Sequence, residues 1–312
     1  MKKTIFLLGG TGFIGEQTLH HLQSENDIEV LALARSEKSA KKIKVLGATP
    51  IPGDMLEPGE WQKQVSNADI VIHIAQPETF GVRITKATAK KYEATRLAMD
   101  HNLFEALSQE RKTKLVYVAG NSYYGETGIG EPKDENMKPR PSGFGPYITK
   151  AVSNAESLHG YNKEVIVAFP GSVYGQGSWL KQYFLDPISL GKPVIQLSGP
   201  SHWISPIHVD DCGRALVHLA LRVQVKLTNE RFFLVDDKPI TYEDIAKGLA
   251  TILNKPLKIK TIPGFLLGLF AGQIIRSYME TNSKYSNAKL KLTGFEFTFP
   301  TFEKGLKTFQ SE

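Results

Sequence analysis

A single cysteine, Cys212, stands in a chain of 312 residues. One thiol excludes an internal disulfide and any metal site built from several cysteines. It fits a reducing compartment, so a cytoplasmic location is expected and no metal centre is. Long apolar runs are equally scarce. Met1-Lys2-Lys3 has the charge of a secretory leader, but the apolar run behind it is too short and stops in a glycine turn. Residues 262–275 are apolar but broken by Gly264, Gly268 and Gly272, and they are shorter than a membrane span. No attachment to a membrane is expected. The net charge is +6, yet the basic stretches 38–44 and 111–114 contain no aromatic residues. Solvated faces are the better reading there than a nucleic-acid surface. Internal repeats and low-complexity segments are also missing. What remains, 41% apolar and 22% charged residues, describes an ordinary globular protein, large enough for one big domain or two lobes sharing a core.

Against that background the stretch Gly9-Gly10-Thr11-Gly12-Phe13-Ile14-Gly15 stands out. It follows Thr4-Ile5-Phe6-Leu7-Leu8, a run that reads as a buried parallel strand. It opens residues 16–23, where Ile14, Thr18, Leu19 and Leu22 recur at helical spacing. Strand, glycine turn and helix in that order are what a dinucleotide site needs. Gly9 permits a tight exit from the strand, Gly12 lets a pyrophosphate approach the backbone, and Gly15 lets helix and strand pack closely. The phosphate then meets free backbone N–H groups and the positive end of the helix dipole.

The second strand, 29–34, ends in Ala34 and is followed by Arg35, Ser36 and Lys38. A carboxylate at this place would accept from the adenosine ribose and repel a 2′-phosphate. A guanidinium instead pairs with a phosphate. NADP is therefore expected rather than NAD. A short strand at 48–51 leads to Asp54 and Met55, a hydrogen-bond acceptor and an apolar cover for the adenine, unless Asp54 caps a helix over 57–65. The strand 70–76 carries His73, read as a satisfied core histidine, and small Ala75, which leaves room for the cofactor. A helix is predicted over 83–108, further strands over 114–119, 164–169 and 231–235, and a helix beginning near Tyr147. Alternating strands and helices imply a Rossmann-type, doubly wound parallel α/β sheet with its ligands beyond the carboxyl ends of the strands. Residues 1–172 form the dinucleotide-binding domain, with 206–235 returning to it. Residues 173–312 form mainly a smaller C-terminal substrate-binding lobe, with helices over 179–190, 210–221 and 242–253. Asp210 and Asp211 read as the first turn of their helix, Tyr174 as packing.

These residues give the chain a resemblance to the extended short-chain dehydrogenase/reductases of the NAD-dependent epimerase/dehydratase family. It is carried by the Gly9–Gly15 turn, Gly53-Asp54, His73-Ile74-Ala75, Tyr124-Gly125, Pro146-Tyr147, Pro170-Gly171-Ser172-Val173-Tyr174-Gly175 and His208-Val209-Asp210-Asp211. The resemblance implies acid–base chemistry beside a nicotinamide, with Tyr147 as acid/base, Lys150 as ribose anchor and Ser122 as orienting hydroxyl. It also implies cofactor contacts from Gln76, Pro170, Ser172 and Val173. A tyrosine near its free pKa of about 10 needs a neighbouring cation to act as a base at neutral pH. The chain departs from the family pattern in four places. Tyr147 and Lys150 are three residues apart rather than four, Gly120 stands where a hydroxyl is usual, Lys91 replaces an asparagine, and Phe169 replaces an arginine. The leading expectation is an NADP-dependent oxidoreductase acting on a small carbonyl or alcohol. The alternatives are a nucleotide-sugar epimerase or dehydratase, and a non-catalytic NADP-binding sensor or scaffold. The resemblance also suggests a homodimer.

Overall fold

The structure, a computed structural model, describes residues 2–78, 83–107, 112–161, 163–224 and 229–309. Six strands build the central sheet in chain order: β1 (Lys3–Leu8), β2 (Ile28–Ala34), β3 (Thr49–Pro52), β4 (Ile70–His73), β5 (Thr113–Val118) and β6 (Lys163–Pro170). The strand Glu230–Leu234 adds an outer edge beside β6, and the spatial order is then β6-β5-β4-β1-β2-β3. Every pairing in this sheet is parallel. In β1 Ile5, Phe6, Leu7 and Leu8 are all fully buried, which requires both faces of the sheet to be covered.

The covering helices are α1 (Phe13–Gln23), α2 (Glu37–Val45), α3 (Trp61–Asn67), α4 (Lys86–Ala106) and α5 (Thr149–Ser157), together with the helix Val209–Leu221. One face buries Leu19 and Leu22 of α1, Ile43 of α2 and Leu216. The other buries Trp61 and Val65 of α3, Leu103 of α4 and Val152 of α5. From Ser172 on, the described residues outside that edge strand form three two-stranded ribbons and no second large sheet. The lobe they frame has its own core around Phe184, Ile204, Ile245, Leu249 and Phe302. Among the described residues no helix is long and apolar enough to cross a membrane, and no cluster of histidine, cysteine and carboxylate side chains is placed to hold a metal.

Element boundaries differ from the sequence expectation where local chemistry intervenes. The helix expected from residue 57 begins only at Trp61, after Pro58 and Gly59, and the Asp54 carboxylate accepts from Leu56 N at 2.9 Å instead of capping it. The strand expected to reach Gln76 ends at His73. The expected helix end at Ser108 and the start of the basic stretch at Arg111 lie outside the described residues.

Beneath the carboxyl ends of β4 and β5 lies a buried ionic network. His73 Nε2 meets Asp100 Oδ1 at 2.9 Å, Arg96 Nε donates to both Asp100 oxygens at 3.0 and 3.1 Å, and the Tyr117 hydroxyl donates to Oδ2 at 2.5 Å. Burial, with the Arg96 charge beside it, pushes His73 down to about 4 from 6.5. The unfolded chain therefore binds a proton between pH 6.5 and 4 that the folded chain refuses. Stability is lost as pH falls through that window. His208, lowered to about 4 by its own burial, acts in the same direction. His73→Gln, which keeps a donor for Asp100 but does not titrate, is expected to flatten the slope of unfolding free energy between pH 6.5 and 4.5. Urea unfolding across that range measures it, and an unchanged slope would remove His73 from the account.

Candidate functional site

The carboxyl end of β1 turns out of the sheet through Gly9, at φ +93°, where a Cβ would fall 2.6 Å from Ala75 N. Gly12 N donates to Gly9 O at 3.1 Å and closes the turn. A Cβ on Gly15 would overlap the Gly9 carbonyl oxygen, so α1 starts as near to the strand as only glycine permits. No side chain caps α1 at Gly12, so its first-turn N–H groups have no side-chain acceptor there, and Gly12 and Phe13 are exposed. A Cβ on Gly12 would meet only Gly9 O, at 3.4 Å. The surface in front of the turn is open, lined by backbone donors and the helix dipole. A dinucleotide pyrophosphate fits it.

At the end of β2 the Arg35 guanidinium is exposed and pairs with exposed Glu78 at 2.9 Å. Such a pair contributes little and releases Arg35 readily. Ser36 accepts from Ser39 N and is the N-cap of α2, while Lys38 lies exposed in the first turn. The sequence reading missed Lys42. From the last turn of α2 it reaches back over the glycine turn, donating to Thr11 O at 3.3 Å and pairing with Glu16. Its only sequence signal is a lysine two turns into the helix that follows Arg35. Asp54 is half-buried, but Met55 is 4% exposed and belongs to the core under α3. This revises its expected role as a cover for the adenine ring.

The turn around β4 and β5 is closely tied. Ala75 N donates to Leu8 O, and Ala75 O accepts from Arg96 Nη1 at 3.0 Å. Gln76 donates to Val118 O at 3.2 Å and accepts from the Tyr92 hydroxyl. A small cavity there is lined by Gln76, Arg96, Gly120, Ile148, Ala151 and Val152. The last three identify the inward face of α5, with Ala155 one turn further on. A tyrosine and a lysine four apart on this face would occupy positions 148 and 152, which are isoleucine and valine.

Tyr147 and Lys150 are placed otherwise. A 3₁₀ turn, Gly145–Tyr147, precedes α5, and the Tyr147 ring packs against Ile84, Ala89 and Ile274. Lys150 is exposed, about 150° around the helix from the inward face at ~100° per residue. On this register neither Tyr147 nor Lys150 lies on the face that α5 turns toward the core. Ser122 is buried, and its Oγ lies 3.3 Å from where a Cβ on Gly120 would sit, with Ile148 on the same side. The Ser122 hydroxyl therefore lies next to the position that Gly120 leaves without a side chain. Phe169 is enclosed by Tyr123, Tyr124 and Phe233, and the neighbouring edge strand supplies Arg231, bonded to Glu156 and lying over the two tyrosine rings.

Pro170 ends β6, and Ser172 and Val173 lead into the lobe. The Ser172 hydroxyl lies 3.2 Å from that of Tyr278, a second residue absent from the sequence reading. The tail gives no local signal for such a long-range contact. Three other polar residues have structural work. Asp210 meets His21 at 2.8 Å, Asp211 accepts from Thr298 N and Phe299 N, and the Tyr174 hydroxyl donates to Asp236.

A family model described as the NAD dependent epimerase/dehydratase family matches residues 5–234. The chain belongs to this family. Its relatives include an epimerase family protein of Arabidopsis thaliana, the chloroplastic SDR39U1 homologue, 27% identical over 97% of this chain and 86% of that protein. A ketoreductase of Stigmatella aurantiaca, acting on a 4-hydroxy-2-methyl-3-oxo-4-farnesyl-3,4-dihydroquinoline-1-oxide, is 25% identical over 75% of this chain and 69% of its own. Among solved structures, the UDP-glucuronic acid 4-epimerase of Bacillus cereus, in complex with UDP-glucuronic acid and NAD, superposes with a TM-score of 0.80. It covers 98% of this chain and 97% of its own, at 18% identity. At that identity the likeness shows the family fold and no more.

Proposed function

We propose that this protein binds NADP(H) and is an oxidoreductase for a small carbonyl or alcohol substrate. The observation that carries the reading is the uncapped start of α1 behind an open glycine turn, flanked by Arg35 and Lys42. Phosphate meets the backbone donors of α1, and the two cations, Arg35 at the end of β2 and Lys42 above the glycine turn, support the reading of a cofactor that carries a further phosphate. When bound, the nicotinamide supplies or accepts a hydride. The chain's own part is to hold the dinucleotide along the strand ends and to place donors at the reacting oxygen. The ketoreductase among its relatives supports the reductase direction.

Arg35→Ala tests the cofactor half. A charge-assisted phosphate contact contributes about 1.5–3 kcal/mol, so NADPH affinity is expected to fall about tenfold or more while NADH affinity stays within about twofold. Titration by nicotinamide fluorescence reads both. An equal loss for the two cofactors would take Arg35 out of phosphate recognition.

One observation favours a second reading, a dinucleotide-binding sensor without turnover: Ile148 and Val152 occupy the inward positions of α5. The two readings part on whether NADPH is consumed when a carbonyl compound is supplied.

A further inference from the structure

We propose that Tyr278, carried by the C-terminal lobe, rather than Tyr147, is the hydroxyl that meets the reacting oxygen of the substrate. This rests on the reductase reading above. The dinucleotide enters at β1 with its adenosine toward β2, so its nicotinamide end extends the other way, over β4, β5 and β6. Tyr278 stands at that end. Its hydroxyl is 3.2 Å from Ser172 Oγ, just past β6, and it interacts with the Asn121 side chain, just past β5. Asn121 is itself 5% exposed, so this end of the Tyr278 side chain lies among buried polar groups. Ser142 Oγ, on the loop that crosses Ser122 and packs Gly143 against Tyr278, is buried and has no hydrogen-bond partner among the described residues. A buried hydroxyl without a partner is costly in a native protein, and this one, on the loop packed against Tyr278, supports a place there for an oxygen-bearing ligand.

The segment holding Tyr278 is fixed on both sides. Gly143 N donates to Ser277 Oγ at 3.1 Å, and Gly143, at φ +54°, leaves a Cβ position only 2.9 Å from Tyr278 Cβ. Further along, the Tyr285 hydroxyl bonds Asn121 O and Gly125 O at 3.1 and 2.7 Å. Burial raises the Tyr278 hydroxyl above its ordinary range, against the opposing effect of Ser172 and Asn121. It stays protonated at neutral pH and so is a donor, which suits reduction. Reduced nicotinamide, when bound, would supply the hydride to the carbonyl carbon and be left oxidised, with the C=O π pair moving onto oxygen. The Tyr278 O–H bond breaks as the new alcohol O–H forms, and the phenolate regains its proton from water through the Ser172 hydroxyl.

The test uses the purified full chain, NADPH as reductant, and 4-nitrobenzaldehyde, ethyl acetoacetate and 9,10-phenanthrenequinone as carbonyl probes. Tyr278→Phe is expected to lower kcat about a hundredfold while NADPH affinity stays within about twofold. It is also expected to weaken binding of the accepted probe to the NADP+ complex, read calorimetrically, about tenfold. Tyr183→Phe, on the exposed surface of the lobe, is the control and is expected to match the wild type. If Tyr278→Phe does not fold, Ser172→Ala carries the test, with kcat expected about tenfold lower. Wild-type turnover that survives in Tyr278→Phe and disappears in Tyr147→Phe would overturn the proposal and leave the reductase reading standing. A wild type that consumes no NADPH with any of the three probes would overturn the reductase reading, and this proposal with it.

Discussion

Gly15→Ala is expected to weaken NADPH binding by at least about a hundredfold, some 2.7 kcal/mol. The added methyl would overlap the Gly9 carbonyl oxygen and lie 2.8 Å from Gly10 Cα. These are backbone atoms of the turn itself, so no side chain can swing aside. Either α1 moves off the strand or the turn opens, and both displace the N–H groups that the pyrophosphate meets. Overpacking of this kind also costs about 1–3 kcal/mol of stability. Gly160→Ala is the control, because a Cβ there meets nothing within 4 Å. Fluorescence titration and urea unfolding of both variants separate the two losses. A Gly15→Ala protein with wild-type affinity would mean that phosphate does not bind at this turn.

The second large effect is expected from Asp100→Ala, at about 3–5 kcal/mol of folding stability. Burial by itself raises Asp100, but Arg96, His73 and Tyr117 outweigh it and hold the carboxyl below its usual range. Its contribution is present above the unfolded value of about 3.9 and is lost as pH falls through the lower folded value. Removing the carboxylate leaves Arg96, 2% exposed, as an uncompensated buried charge. The damage reaches the site, because Arg96 Nη1 also holds Ala75 O beside the glycine turn. Urea unfolding at pH 7 measures the loss, and NADPH affinity is expected to fall with it. A loss under about 1 kcal/mol would show that the network is not what locks α4 to the sheet.

Much of this was legible in the chain, for reasons that differ by region. The glycine turn could be read because each of its glycines answers a local backbone demand within seven residues. His73 could be read as core because it sits inside an apolar strand, although its partner Asp100 and the Arg96 one helical turn before it were not singled out. The catalytic end resisted the same treatment. Whether Tyr147 and Lys150 face the sheet depends on where α5 begins, and the 3₁₀ turn at Gly145–Tyr147 sets a register that spacing alone does not reveal. Ser122 could be noticed as the nearest hydroxyl, but its place in front of Gly120 is a matter of loop shape. Lys42 and Tyr278 were invisible for a different reason. One acts by folding back over a turn some 30 residues earlier, and the other by meeting Ser172 from 106 residues away. Contacts of that kind leave no periodicity.

The central claim is that the open turn, Arg35 and Lys42 together form an NADP(H) site. It is tested most directly by titrating the purified protein with NADPH and, separately, NADH, following nicotinamide fluorescence. NADPH is expected to bind at least about tenfold more tightly, the contribution of one charge-assisted phosphate contact. Equal or tighter binding of NADH, or binding of neither, would contradict it.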